Sequence, residues 1–573
     1  MRYLVLFFVW SQLSVFAQQK PNTPEGEIES VQYEIVVDKK NTVPEATRHF
    51  ETVGPRNEAN EPVPVKYDSK DVPFRSPDGL AAPRPLRIKD ESLSKVFGNY
   101  VSGGFGNYGA FYLNGSVTTK RSKESYLGAK VYRQSYSSGP VDKKNSGASE
   151  NNLKLFGSLM REQYTLSGNI SYNYSHGYFY GYPAGVAADR NSIAQNFQKF
   201  SVGASVENTK LAAFSYALRT NASYLEDKYK AKETDLEFFW NSAYKLQNDK
   251  QGILDASYNL IARKDEKAEA APRYIFRLAP TLKASPVENL TVAAGFRAAL
   301  TNDSIDKKFH FYPLLQAHYL LTPSWEVYGK LTGDIDKVSL HTLTAENFWA
   351  APDIEIFNTN RKAEFDLGVR GALGKKAEVQ AGISFARLKN LYYFQNDIQN
   401  RAKFNTYIDH GITRRTNLFL ETSATLNSTI RWTFRADYYQ YATDVLDVYK
   451  KKQTPSDARL LADIPSQNIP LHKPTYKASA SVHLNIAKKI SGDLSLATLG
   501  GIEAVNVNLT DGKIYNIVTL KPSVNIDLKA EYWLSRRISL FLKGSNLTSG
   551  AYQKLQYYPV RQIQILGGLC WSF

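Results

Sequence analysis

Charged side chains at alternating positions are the first candidates for chemistry in this sequence. They form two sets, Arg431, Arg435 and Asp437, and Glu364, Asp366 and Arg370. Alternate residues of a β-strand share one face, so each set predicts a strand with a charged face and an apolar one. Facing charges can pair across neighbouring strands. The spacing favours a ladder of structural ion pairs, with contact to an anionic solute or a plugging segment as the alternative.

The sequence contains no catalytic or metal-binding pattern. Its eight histidines have no metal-ligand spacing, and no GxSxG, HExxH or phosphate-binding loop occurs. Asp409 and His410 are neighbours near a predicted loop, and we attribute this to chance. The sequence therefore predicts no enzyme, no metal and no cofactor.

Strands must position the charged sets, and a period of two residues predicts them. From Tyr164 to Tyr174, apolar or aromatic residues and glycine alternate without exception with Thr, Ser and Asn. The same alternation runs over 476–486 and 524–532. The composition, with two Met, 37 Tyr and 29 Phe, is typical of an all-β chain with aromatic girdles.

The connections between these strands alternate between short and long. The short ones are 161–163, 248–250, 285–289, 322–324, 374–376, 427–429, 488–490 and 535–536. The long ones are 138–149, 175–197, 338–360, 397–413, 442–474 and 547–560. This pattern separates a transmembrane antiparallel β-barrel from a secreted sandwich. Counting strands between the connections predicts 22, an even number that leaves both termini of the chain on the periplasmic side.

Aromatic residues crowd beside the long connections. They are Tyr178, Phe179, Tyr180, Tyr182, Tyr392, Tyr393, Phe394, Tyr438, Tyr439, Tyr441, Tyr557 and Tyr558. Their position predicts an outer interfacial girdle, with rings in lipid and hydroxyls at the head groups. A sugar-binding surface is the alternative.

The final strand predicts how the barrel closes. Phe573, Trp571 and Leu569 share an apolar face, while Ser572 and Cys570 lie on the other. An apolar outward face suits outer-membrane lipid. We expect this strand to seal against the first one and Phe573 to serve as the assembly signal that the barrel-assembly machinery reads.

The amino-terminal residues differ from the barrel. Residues 1–17 have the apolar run and small-residue ending of a signal peptide. Residues 18–97 hold 10 of the 24 prolines, with 12 Lys or Arg against 14 Asp or Glu, which predicts an extended periplasmic or lumen segment. The barrel residues 98–573 then carry the basic excess, so they would attract anions, including lipid phosphates. Scattered solvated charges are the alternative.

The carboxyl-terminal residues resemble those of TonB-dependent receptors. The matching positions are Asn546, Leu547, Tyr552, Tyr557, Tyr558, Pro559, Arg561, Gly567, Gly568 and Phe573, with further similarity at 385–394, 409–411 and 417–419. The resemblance covers roughly residues 98–573. It implies a 22-stranded outer-membrane barrel, in agreement with the strand count.

The amino-terminal residues depart from this family. Its members carry a compact plug domain preceded by a TonB-contacting box, whereas 80 proline-rich residues precede the barrel here. A faint box-like match is Glu34, Ile35, Val36 and Val37, which an ordinary β-addition segment also explains. We expect the plug to be missing.

The resemblance implies transport of a solute across the outer membrane, with TonB as a possible partner. The missing plug favours an alternative, a structural or docking subunit that binds another periplasmic or outer-membrane protein. Neither reading involves nucleic acid.

Overall fold

The computed structural model describes residues 99–119, 122, 124–208, 213–247, 250–266, 269–397, 399–443, 446–447, 469–486, 489–507 and 514–573. The predicted signal peptide, the segment 18–97 and the box-like residues 34–37 lie outside these ranges. No helix within them is long and apolar enough to cross a bilayer.

Antiparallel strands make up most of the described chain. The first thirteen are β1 (Tyr100–Gly106), β2 (Ala110–Thr118), β3 (Ser125–Tyr136), β4 (Ala148–Met160), β5 (Tyr164–Tyr178), β6 (Ala194–Asn208), β7 (Phe214–Asp227), β8 (Lys232–Lys245), β9 (Gln251–Lys264), β10 (Glu269–Val287), β11 (Leu290–Thr301), β12 (Phe309–Thr322) and β13 (Trp325–Asp336). Helix α1 (Leu340–Glu346) follows.

The remaining strands complete the sheet and its outer extensions. They are β14 (Thr359–Leu373), β15 (Ala377–Asn396), β16 (Phe404–Thr425), β17 (Ile430–Ala442), β18 (Leu446–Asp447), β19 (Tyr476–Ile486), β20 (Ile490–Gly500), β21 (Glu503–Val507), β22 (Ile514–Thr519), β23 (Ser523–Trp533), β24 (Ile538–Ser545) and β25 (Gln564–Ser572). Single turns of 3-10 helix occur at Asn107–Gly109 and Lys143–Ser146.

The strands close into one barrel. Each pairs with the next wall strand, and β1 pairs with β25 in the register Val101 opposite Trp571. The two-residue β18 adds to the outer part of β16, and β21 and β22 form a separate hairpin, so the wall has 22 strands. The predicted all-β transmembrane barrel and its strand number are confirmed.

Alternation along the strands sorts side chains between two environments. Leu166 and Ile170 of β5 lie 42% and 45% exposed on the outer surface, whereas Ser158 of β4 and Ser201 of β6 are buried on the inner wall. An apolar exterior over a polar interior is the pattern of a membrane barrel.

The long loops share one rim, which also carries short turns such as residues 228–231 between β7 and β8. The turn between β14 and β15 is residues 374–376, whereas the loop between β13 and β14 covers 337–358. The predicted long connection 397–413 is wrong in extent, because β16 begins at Phe404 and the loop shortens to 397–403. The outer part of β16 is buried beneath loops and does not face lipid, so lipid alternation does not mark it.

Candidate functional site: an extracellular cap over a charged inner wall

Loops on the extracellular rim fold together into a cap. We define the cap as residues 179–193, 337–358, 397–403, 469–475 and 546–563. Its centre is a cluster of buried apolar residues to which the β13–β14 loop contributes most. This loop contacts inward-facing residues of the wall, so it lies inside the mouth of the barrel.

Acidic residues on the inner face of β8 hold the start of the β13–β14 loop. The Glu233 carboxylate accepts backbone hydrogen bonds from Leu340 (2.6 Å) and His341 (3.0 Å), at the first turn of α1. Ser339 caps the same helix through its side chain. Just before it, the ammonium of Lys337 pairs with two further carboxylates of β8. The negative charge of Glu233 stabilises the amino-terminal end of α1.

Arginines from β9 and β10 hold the rest of this loop. Arg263 donates to the Ile354 carbonyl at 2.7 Å, and Arg273 donates to the Val338 carbonyl at 2.8 Å. Asp303 accepts the backbone N–H of Asn358 at 2.7 Å. Buried backbone groups need such partners, so the wall charges fix the path of the loop across the lumen.

Aromatic rings join the cap across the mouth. The Trp349 and Tyr558 rings stack with centroids 3.9 Å apart, and Tyr180 packs edge-on against both. Trp349 donates its indole N–H to the Tyr178 carbonyl at 3.0 Å, and the Tyr558 hydroxyl donates to the Ala402 carbonyl. Burial raises the pKa of the Tyr558 hydroxyl, which therefore stays protonated as a donor. Three loops from different parts of the wall meet at these rings.

Backbone pairing adds to the ring contacts. Phe404 donates its N–H to the Trp349 carbonyl at 3.0 Å, and Ala351 donates to the Phe404 carbonyl at 2.7 Å. The Phe404 side chain is fully buried. The first residue of β16 therefore extends the sheet onto the β13–β14 loop.

His472, as a neutral ring, links its own loop of the cap to the outer end of β15 and to the β24–β25 loop. Its Nδ1 lies 2.7 Å from the Phe394 carbonyl, and its Nε2 accepts the backbone N–H of Gln556 at 3.3 Å. These partners require the proton on Nδ1 and a lone pair on Nε2. Burial lowers the pKa of His472 to about 4. Burial likewise lowers the pKa of His341 to about 3.

The aromatic girdle interpretation is wrong for much of the predicted set. Tyr178, Phe179, Tyr393, Phe394 and Tyr558 are buried, while Tyr438 is 50% exposed on the outer surface. The buried rings sit within or beneath the cap because the loops fold over the mouth. A local sequence pattern does not distinguish a ring in lipid from a ring under a loop.

The first predicted charged set lies on β17, facing inward. Arg435 pairs with Asp437 and with Glu421 of β16, both at 2.8 Å. Arg431 is exposed near the periplasmic rim.

The second predicted set lies on the inner face of β14. Glu364 pairs with Arg361 and Arg415, and Arg370 pairs with Glu326 at 2.9 Å. Asp366 lies opposite Lys330.

Sequence reasoning missed further inward charges. Asp334 accepts Arg277 at 2.7 Å and Arg297 at 2.8 Å, joining three strands. Asp334, Arg277 and Arg297 each occupy an inward position in the alternation of their own strand. That alternation could have placed all three on the inner wall. The pairing itself depends on cross-strand register.

The predicted assembly residues lie on the outer face of the closing strand. Leu569 and Trp571 are 55% and 52% exposed, and Phe573 is 38% exposed. The backbone N–H of Phe573 donates to the Asn99 carbonyl at 2.9 Å.

The described residues hold no group of three side chains suited to a metal ion. Asp409 is fully buried and accepts the Thr413 hydroxyl at 2.6 Å. Thr413 is in turn 2.8 Å from the Tyr393 hydroxyl. These contacts give Asp409 a place in a buried polar network.

No protein-family model and no curated protein sequence matches this chain. Solved structures match it by fold. The siderophore receptor PirA from Acinetobacter baumannii has a TM-score of 0.61 at 10% identity, covering 83% of this chain and 80% of that chain. The FrpB iron transporter from Neisseria meningitidis has a TM-score of 0.60 at 11% identity, covering 84% and 82%.

The chain has the barrel fold of these proteins. A ferric enterobactin receptor variant from Pseudomonas aeruginosa has a similar TM-score of 0.58 at 10% identity, covering 83% of this chain and 80% of that chain. The fold implied by the resemblance to TonB-dependent receptors is confirmed. With its apolar exterior, this fold places the chain in the outer membrane.

Proposed function

We propose that this chain is a gated transport barrel of the outer membrane, built like a TonB-dependent receptor, in which the extracellular cap controls the passage of a solute. Two features support the proposal. The fold is shared with a siderophore receptor and an iron transporter. A barrel of 22 strands encloses a lumen wide enough for a solute.

The stack of Trp349 on Tyr558 is the observation that carries this proposal. It joins the β13–β14 loop to the β24–β25 loop inside the mouth. A solute that enters from outside must displace these rings. The cap is therefore the gate, and its opening limits the flux.

Removing the stack tests the gate. Tyr558→Ala and Trp349→Ala should each raise conductance in planar bilayers and the rate of sugar-driven liposome swelling, because the loops lose their central contact. Tyr182→Ala is the matched control. Tyr182 belongs to the β5–β6 loop, but its hydroxyl donates a hydrogen bond to Asp142 at the rim. Equal, low conductance in the three variants and the original chain would show that the cap is not the barrier.

Energised uptake is a separate part of the proposal. It rests on the family resemblance and on residues 34–37, which would contact TonB from the periplasm. Deleting 34–37 should abolish growth on the transported nutrient while leaving protein levels unchanged. Deleting 39–42 is the control. Growth that survives loss of 34–37 or of TonB would exclude this route.

A docking subunit is the second candidate, and the tight anchoring of the cap favours it. Glu233, Arg263 and Arg273 hold the β13–β14 loop with buried hydrogen bonds. A permanently closed barrel would serve as a structural part of an outer-membrane complex. Stoichiometric copurification of partner proteins, without any nutrient-specific growth defect, would favour this candidate over transport.

A further inference from the structure

Charge is distributed unevenly around the inner wall. Six adjacent strands, β25 and β1 to β5, present almost only neutral side chains to the lumen, as their pairing registers show. Their inward-facing charged residues are Lys130 on β3 and Lys154 and Glu150 on β4. This sector carries a positive excess on an otherwise neutral surface.

The two lysines face one another. Lys130 is the direct cross-strand partner of Lys154, and both side chains are half-buried. Like charges placed directly opposite in an antiparallel pair repel. Within the described part of the chain, neither ammonium has a carboxylate in salt-bridge distance, and Lys130 lies 5.4 Å from the centre of the Phe156 ring.

Several inward cations elsewhere on the wall are paired with acids. Arg277 pairs with Asp334, and Arg370 pairs with Glu326. The nearest inward acid to Lys154 on its own strand is Glu150, four residues away, which is about 13 Å along a strand. The lysine pair thus departs from the pairing seen elsewhere on the wall.

Hydroxyl groups flank the lysine pair. Ser116 of β2 lies opposite Lys130, and Ser171 of β5 lies opposite Lys154. Each serine hydroxyl has one O–H donor that an anion can accept. Four strands therefore bring two ammonium groups and two hydroxyls to one level of the lumen, on the periplasmic side of the cap.

We propose that Lys130 and Lys154, with the hydroxyls of Ser116 and Ser171, form an anion-binding site on the inner wall, which takes a carboxylate or phosphate group of the transported solute. The site rests on the proposed transport function and assigns it a substrate class. An anion placed between the ammonium groups removes their repulsion and accepts charge-assisted hydrogen bonds.

Lysine reactivity measures occupancy of the site directly. The purified full chain in detergent is treated with a small amine-reactive reagent in chloride, inorganic phosphate or citrate at equal ionic strength, and modification is quantified by mass spectrometry. At a concentration about ten times the dissociation constant, phosphate or citrate should slow the modification of Lys130 and Lys154 about tenfold. Lys477 is the control, because it faces the lumen from β19 over the Tyr439 ring.

Variants decide whether these residues carry the binding. Lys130→Gln and Lys154→Gln should each weaken phosphate or citrate binding, measured by equilibrium dialysis, by about tenfold or more. Lys477→Gln should leave it unchanged. The site is disproved if neither anion protects the lysine pair, if Lys477 is protected equally, or if the variants bind as well as the original chain. Binding without transport would reject the proposed function alone.

Discussion

Glu233 on the barrel wall accepts a 2.6 Å hydrogen bond from the backbone N–H of Leu340, the first residue of the only α-helix in the described part of the chain. The contact joins residues that are 107 positions apart in sequence. It ties the wall to the β13–β14 loop, and through that loop to the centre of the cap.

Glu233→Ala should loosen the cap without unfolding the barrel. Losing a charged acceptor for two backbone N–H groups costs about 1 to 3 kcal/mol, and the loss falls on α1 and its neighbours. Hydrogen exchange should accelerate in residues 337–358 and remain slow in the wall strands. Glu207→Ala is the control, since Glu207 faces inward near the opposite rim. Unchanged exchange in 337–358 would argue that Glu233 does not hold the loop.

A charge on the lipid face of the closing strand should impair assembly. Trp571→Arg exposes a cation to lipid at a cost of roughly 1 to 4 kcal/mol, depending on its depth. Deleting Phe573 should have a similar effect, because it removes the predicted assembly signal. Outer-membrane levels measure both changes. Gln564→Lys, on the inward face of the same strand, should be tolerated, and normal levels of a chain lacking Phe573 would refute its role.

The cap should open more easily in acid. The closed cap lowers the pKa of His472 from 6.5 to about 4, so the neutral ring is favoured when the cap is closed. The neutral ring therefore stabilises the closed cap fully above about pH 6.5, and this stabilisation is lost as the pH falls toward 4. By pH 5 the closed cap has lost about 2 kcal/mol of stability. Protonating Nε2 would also remove the acceptor of the Gln556 N–H. Hydrogen exchange in residues 546–563, compared at pH 7.5 and pH 5 after correction for intrinsic rates, measures the effect.

A variant that does not titrate tests whether His472 itself causes this pH dependence. His472→Asn keeps a donor and an acceptor but does not titrate, so it should reduce the pH dependence. The other charged group beside this ring is Lys473, which pairs with Glu346 at 2.6 Å. The pKa of His341, which lies close to Lys199 and Lys337, is lowered as well. His341→Asn should therefore remove a further part of the pH dependence. An equal pH response in both variants and the original chain would exclude the two histidines as the cause of the pH dependence.

The two arginines of β17 should differ in their effect on barrel stability. Arg435→Gln leaves buried Asp437 and half-exposed Glu421 without their cation, at a cost of about 1 to 3 kcal/mol. Arg431→Gln is the matched control on the same face, and its effect should be small because Arg431 is exposed. The temperature at which the folded barrel converts to the unfolded form in SDS electrophoresis reports the difference. Equal shifts would contradict a specific role for the Arg435 pairs.

Strands and their faces were predictable from the sequence because lipid imposes a simple rule. A side chain pointing into the bilayer must be apolar, so the alternation from Tyr164 to Tyr174 marks both the strand and its lipid face. The predicted strand over 476–486 has the same bounds in the structure. The strand number followed from connection lengths, because each turn reverses an antiparallel strand.

Ion pairs on the inner wall were only partly predictable. The spacing of Arg435 and Asp437 indicated a shared face, whereas Glu421, the second acid that pairs with Arg435, lies on another strand. Its position depends on the register that turns and bulges set. The bulge between Thr332 and Asp334 shifts the pairing locally, and no single-strand pattern predicts such a shift.

The sequence by itself determined the membrane wall of this protein, and only the tertiary structure decided what closes its mouth. The wall follows from local alternation, since every outward-facing side chain contacts the same lipid environment. The cap depends on contacts between distant loops, as between Trp349 and Tyr558. Loop residues have no period and no common environment. Their burial is therefore set by which loops meet, and that is a property of the closed barrel.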